Sequence, residues 1–199
     1  IVHAQMMREL IDTVKFIVGF LPWILFLFLP TNSWEQLQRA VLICLVLSVA
    51  VGIKALYKGF ILQWATLAFF LFCVVSFHFF HWVGLAEHMG MVANGFLDAV
   101  IWFTVLTGRP FTLQYARAEL PRERWNDEGL IRSCRTIAIF WGLLLLIPTA
   151  FETFRLSYPN ALPARFYFFQ STFCIAIGVG YTQIYKHISR KQRQASGSR

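Results

Sequence analysis

Residues 38–56 read QRAVLICLVLSVAVGIKAL, and this stretch decides the class of the protein. No charge falls between Arg39 and Lys54. A run of this kind is long enough to cross the roughly 30 Å apolar core of a bilayer as one helix. Five more stretches have similar character: 13–30, 60–83, 89–107, 134–154 and 164–185. The whole composition agrees. Apolar residues make up 57% of the 199 and charged residues only 14%, against roughly a quarter charged in soluble domains. A soluble chain of this size could not hide so much apolar surface in one core, whereas lipid removes the need to hide it. The expectation is an all-α protein, a polytopic transmembrane helical bundle of six spans forming a single domain over 1–194.

The first run, TVKFIVGFLPWILFLFLP, is too long and bulky for a secretory signal. No small-residue cleavage site follows Pro30, so it reads as a retained span. At the other end, 195–199 (ASGSR) reads as a flexible tail and tag remnant.

Basic residues then orient the spans. With the N-terminus inside, one face collects Arg8, Lys15, Lys54, Lys58, Arg109, Arg117, Arg122, Arg124, Arg132, Arg135, Lys186, Arg190, Lys191, Arg193 and Arg199. The other face holds only Arg39, Arg155 and Arg165. Fifteen against three satisfies the positive-inside rule and favours an even number of spans, with both termini cytoplasmic in the inner (plasma) membrane. The net charge of +8 is thereby explained by topology and anionic lipid headgroups, and no nucleic-acid partner is expected. The outer loops 31–37, 84–88 and 155–163 are short, the last punctuated by Tyr158, Pro159 and Pro163. Trp23, Trp34, Trp82 and Tyr158 are expected near the interfaces.

One cytoplasmic loop is sizeable: 108–131, GRPFTLQYARAELPRERWNDEGLI. Phe111, Leu113, Tyr115 and Leu120 alternate with polar residues, which fits an amphipathic stretch at the inner membrane face. Arg109, Arg117, Arg122 and Arg124 suit anionic headgroups. The segment reads as a membrane-hugging connector or as a docking surface for a lipid or another membrane protein. An internal echo begins here. Phe60-Ile-Leu-Gln-Trp-Ala65 resembles Phe111-Thr-Leu-Gln-Tyr-Ala116, and each follows a Gly with a neighbouring Lys or Arg. Such an echo is what a duplicated helical hairpin would leave.

Polar residues inside the apolar runs are costly. Asp98 lies mid-span, in NGFLDAVIWF, where a carboxylate costs about 2.5–3.5 kcal/mol on insertion scales. Asn94 is four residues earlier on the same helical face. The pair reads as a proton relay or substrate contact, or as glue between helices. His78, His81 and His88 form a second group. On one continuous helix His81 and His88 lie about 60° and 80° from His78. The three then share a stripe fit for a transition metal or haem, although Gly84 can end the helix sooner and the position is also an ordinary interfacial one. No cofactor is otherwise expected. Glu152 and Arg155 are spaced for an i,i+3 ion pair, and Pro22 and Pro148 should kink their helices. Gln63, Gln170, Ser171, Thr172 and Gln183 suit interhelical hydrogen bonding, and Gly178 and Gly180 close packing. Cys44, Cys73, Cys134 and Cys174 form no CxxC pair, so neither zinc spacing nor a redox motif is present. No GxSxG, P-loop, HExxH or paired-carboxylate motif occurs.

The run Gly108-Arg109, then Glu119-Leu120-Pro121, then Trp125, then a span carrying Trp141, resembles the bacterial intracellular septation protein A family. Leu10-Ile11-Asp12 followed by Phe20-Leu21-Pro22-Trp23-Ile24-Leu25-Phe26 is similar to that family's opening, except that there the aspartate directly precedes the Phe-Pro run. The family is drawn with five spans rather than six. The resemblance implies a non-enzymatic inner-membrane protein for cell-envelope maintenance or division, acting through protein contacts. The surface it implies is Arg109, Leu120, Pro121 and Trp125. Two other readings follow from residues alone: a small proton-coupled transporter centred on Asp98, and a haem- or metal-binding redox protein using the three histidines.

Overall fold

A computed structural model describes residues 18–158 and 161–196. Among the described residues every regular element is helical. Arg8, Lys15, the Leu10–Asp12 motif, residues 13–17 of the first expected span, Pro159 and the 197–199 tail lie outside them. Four helices are long and apolar enough to cross a membrane: α2 (Trp34–Tyr57), α3 (Ile61–His78), α5 (Met89–Leu106) and α7 (Glu128–Ser157). They are accompanied by α1 (Val18–Phe28), α4 (Val83–Glu87), α6 (Phe111–Glu119) and α8 (Ala164–Ser196). Contacts gather these elements into two compact units, residues 1–92 and 93–199.

In the first unit, Ser33 caps α2 by accepting a hydrogen bond from the Gln36 amide at 3.3 Å, which satisfies one of the free donors of a helix start. At its far end Gly59 takes φ +72°. The Phe60 amide then reaches the Ala55 carbonyl at 3.0 Å and the Gly59 amide reaches Leu56 at 2.9 Å. This is a Schellman closure, which needs a left-handed residue that glycine adopts without strain. It reverses the chain, so α3 packs back along α2. Val41, Cys44 and Ser48 of α2 face Leu62, Phe70 and Cys73 of α3, all buried. Gly52 has no Cβ where the Gln63 carboxamide lies, and Gln63 Nε2 donates to the Ser48 carbonyl at 3.4 Å. Leu42, Ile43, Val46, Val49 and Ile53 are exposed on the opposite face of α2. Polar groups inside and apolar groups outside is the distribution that lipid, not water, stabilises.

Trp23 packs into the protein rather than on its surface. It is buried in the first unit, stacked on Phe69 with ring centroids 5.0 Å apart. Its indole N–H donates to Thr66 Oγ1 at 2.9 Å, and Thr66 donates onward to the Leu62 carbonyl at 2.8 Å. A buried indole needs such an acceptor, and Thr66 supplies it between α1 and α3.

The second unit contains the rest of α5, then α6, a 3₁₀ turn at Arg122–Arg124, α7 and α8. α5 closes as α2 does: Gly108 has φ +70°, Arg109 N–H reaches Thr104 O at 3.0 Å and Gly108 N–H reaches Val105 O at 3.1 Å. Asp127 caps α7 by accepting from Gly129 N–H at 2.9 Å. At about 1.5 Å per residue, the 30 residues of α7 exceed the apolar thickness of a bilayer. The helix runs without a break through Pro148. The helix thus contains the fifth expected span, 134–154, and extends beyond it at both ends in polar turns.

Two large aromatic side chains pack where glycine leaves room. A Cβ on Gly142 would stand 2.9 Å from Trp102 Cε2, and one on Gly178 would stand 2.6 Å from Trp141 Cη2. Trp141, 1% exposed, donates its indole N–H to Thr182 Oγ1 at 3.0 Å. It thus ties α7 to α8 as Trp23 ties α1 to α3.

Candidate functional site

Three places carry the polar residues singled out by sequence, and they differ in how they are built.

The segment between α5 and α7 is folded. Thr104 near the end of α5 accepts from the Phe111 amide at 3.2 Å, which starts α6. Thr112 Oγ1 then donates to the Cys134 carbonyl of α7 at 2.7 Å. Leu113 packs in a cluster with Leu130 and Cys134, and Ala116, Leu120 and Ile131 close around it. The alternation of Phe111 and Leu113 therefore does not lie free on a surface. Phe111, Thr112 and Leu113 are all buried, so the first turn of α6 is enclosed on more than one face. Burial pushes the Tyr115 phenol well above its ordinary range, so it stays neutral at physiological pH.

Beyond α6 the chain is held by the residues the family resemblance named. Trp125 donates its indole N–H to the Leu120 carbonyl at 3.0 Å. Arg117 donates from Nε and Nη2 to the Trp125 carbonyl at 3.2 and 3.1 Å. The guanidinium carbons of Arg117 and Arg122 stand 5.9 and 5.7 Å from the Trp125 ring centroid, within cation–π range. Pro121 caps the 3₁₀ turn that carries Arg122 and Arg124. Arg109, Pro121, Arg122 and Arg124 are exposed, whereas Leu120, Arg117 and Trp125 are half-buried. Among the described residues none of Arg109, Arg122 or Arg124 enters an ion pair. The structure thus separates two roles that sequence merged: Arg117 braces the turn, and the other three present charge.

Asp98 occupies the middle of α5 and is 6% exposed. A side-chain hydrogen bond from Trp102 reaches its carboxyl, while Oδ1 has no hydrogen-bond partner among the described residues. Asn94 sits one turn away on the same helix, half-buried. Trp102 was not singled out from sequence. Its i+4 spacing to Asp98 was the signal that could have found it.

The three histidines do not share a stripe. α3 ends at His78, four residues or more short of the expected 83. His81 has φ +48° and stacks on Trp34 with ring centroids 6.1 Å apart. His88 caps the short α4. The premise of one helix through His88 fails because Gln38 of α2 donates to the Phe77 carbonyl at 2.9 Å and closes α3 from outside. Among the described residues no group of three or more His, Cys, Asp or Glu side chains is placed to hold a metal.

Glu152 and Arg155 form the expected pair, Oε2 to Nη1 at 3.7 Å, and Arg155 also covers the Tyr167 ring at 5.0 Å. Compared with known proteins, the chain matches no family model, no curated protein and no solved structure.

Proposed function

We propose that this chain is an inner-membrane protein of six spans with both termini in the cytoplasm. It acts without catalysis in envelope maintenance or division, through contacts of the cytoplasmic segment 108–131 with anionic headgroups or another membrane protein. The observation that carries this reading is the Arg117–Trp125–Leu120 clasp, which gives fixed shape to a segment whose Arg109, Arg122 and Arg124 are exposed and, among the described residues, enter no ion pair. A linker needs no such order. The resemblance to the septation protein A family shares Arg109, Leu120 and Trp125 with this arrangement.

Support for counting α8 as a span comes from its two faces. Phe169, Phe173, Ile184 and Ile188 are exposed, while Tyr167, Ser171 and Thr182 are buried. Such an inside-out face is stable against lipid rather than water.

The test combines Arg109→Ala, Arg122→Ala and Arg124→Ala, which remove charge and leave the clasp hydrogen bonds in place. The expected result is loss of co-purifying membrane partners and a division or envelope defect in the host, with normal protein levels. Unchanged partners and unchanged cell shape would refute the reading.

A second reading is favoured by one atom. The unpartnered, buried Oδ1 of Asp98 is costly in a membrane unless it has something to bind. This supports a small proton-coupled carrier. Asp98→Asn in a flux assay should abolish transport, and full retained flux would remove the basis for it.

A further inference from the structure

The second unit is divided by depth around Asp98. Gly95 faces Thr149 Cγ2 at 3.8 Å and Gly142 faces Trp102 at 2.9 Å, both measured from a Cβ built on the glycine. Seven residues forward along α5 therefore match seven backward along α7. This antiparallel register sets Asp98 opposite residues 145–146. α8 continues the same layering, since Phe151 meets Phe166 at 5.1 Å and Phe140 stacks on Tyr181 at 3.8 Å. On the side of Asp98 toward residue 155, the interior is polar. Gln170 has its carboxamide sealed from solvent, and Tyr167 has a buried hydroxyl with no hydrogen-bond partner among the described residues. Ser171 is buried as well. On the side toward residue 135, two indoles take up most of the space, Trp102 on Gly142 and Trp141 on Gly178, and the polar groups there are Thr182, which accepts from Trp141, and the amide nitrogen of Gln183.

We propose that Asp98 is an exchangeable proton site, served through the polar half of the second unit along Tyr167 and Gln170 and closed on the cytoplasmic side by Trp102 and Trp141. The inference rests on the six-span topology and deepens the carrier reading. A hydronium ion at the outer face gives its proton to Asp98 Oδ1 and leaves as water, and the reverse step returns it. The resulting O–H needs an acceptor. Pro148 has no N–H, so the Leu144 carbonyl lacks its helical donor, and Leu144 lies in the stretch of α7 facing Asp98. Trp102 is a positioning residue that holds the other carboxyl oxygen. The titratable and charged groups around this route are the Glu152–Arg155 pair of α7, and Tyr167, Cys174 and the exposed Arg165 of α8. No other carboxyl of the second unit lies on α5.

The test is infrared spectroscopy of the full chain in phospholipid nanodiscs. A carboxylic C=O band should be present in the wild type, absent in Asp98→Asn, and change amplitude as the pH of the buffer is varied. It should shift in deuterated buffer. Gln170→Leu should slow that exchange about tenfold, equivalent to about 1.4 kcal/mol of barrier. Trp102→Phe should move the band while leaving exchange intact. If Asp98→Asn fails to fold, Asp98→Glu serves, and its band should move rather than vanish. A band that neither titrates nor exchanges overturns the proposal, as does the lack of any Asp98 band. Exchange untouched by Gln170→Leu but accelerated by Trp102→Phe places the route on the other side and overturns it too. Terminus and loop labelling tests the topology separately, so a failure there is distinguishable from a failure here.

Discussion

The two turns at Gly59 and Gly108 begin alike and end differently. Each closes a long apolar helix with a left-handed glycine and the same pair of backbone hydrogen bonds. Each is followed by the same echo, Phe-x-Leu-Gln-aromatic-Ala, whose Leu62 and Leu113 are both buried. From there α3 runs 18 residues, while α6 stops after nine. The cause lies downstream of the echo. After Ala65 come Thr66, Leu67, Ala68 and two phenylalanines, all compatible with lipid. After Ala116 come Arg117, Glu119 and Pro121. Two charges at about 2.5–3.5 kcal/mol each on insertion scales weigh against α6 as a span, and Pro121 ends it. The segment then stabilises itself by docking on α7. A shared start thus sets the turn, not the fate of the helix that follows.

The sharpest way to break this comparison is to put the same charge at both echo leucines. Leu62→Asp should remove α3 from the membrane and leave little folded protein, since a charge at a buried intramembrane site has no partner. Leu113→Asp should cost about 2–5 kcal/mol locally, leaving the spans inserted but opening the inner segment. Trypsin would then cut at Arg117, Arg122 or Arg124 far faster than in the wild type. Equal loss of both proteins would erase the distinction drawn here. Next in size are the glycines. Gly59→Ala and Gly108→Ala should each destabilise by about 1–2 kcal/mol, because each forces a left-handed alanine. Thermal unfolding in detergent should show matching shifts, and unequal ones would mean the two turns are not equivalent.

Smaller effects belong to one turn only. Thr104→Val removes the acceptor for the Phe111 amide and should cost about 1–2 kcal/mol. The change should appear as faster amide exchange in α6 alone. Trp125→Phe keeps a ring for Arg117 and Arg122 but loses the bond to Leu120. About 1 kcal/mol should be lost, read as modestly faster tryptic cleavage with unchanged spans. No change in cleavage would mean the clasp does not order the segment.

Much of the fold was legible because lipid demands a simple signal. Apolar runs located α2, α5 and α7 to within a few residues, apart from the extra turns of α7, and Gly59 and Gly108 marked turns. What sequence misplaced depended on distant partners. The end of α3 is set by Gln38 across the unit and by a left-handed His81, neither of which local pattern announces. The burial of Trp23 likewise depends on Thr66 of α3, which accepts its indole N–H. At the inner segment, residue types were right but roles were not. Arg117 looked like Arg124 until the Trp125 carbonyl claimed it. Asp98 was plain from cost alone, while its neighbour Trp102 needed the structure to be placed beside it.

The account turns on segment 108–131 lying on the cytoplasmic face. All four native cysteines are buried, so single introduced thiols report cleanly. Arg124→Cys and Ser157→Cys, treated with a membrane-impermeant maleimide on intact cells, test this directly. Ser157→Cys should label at once, and Arg124→Cys only after permeabilisation. Labelling of Arg124→Cys on intact cells would contradict the account.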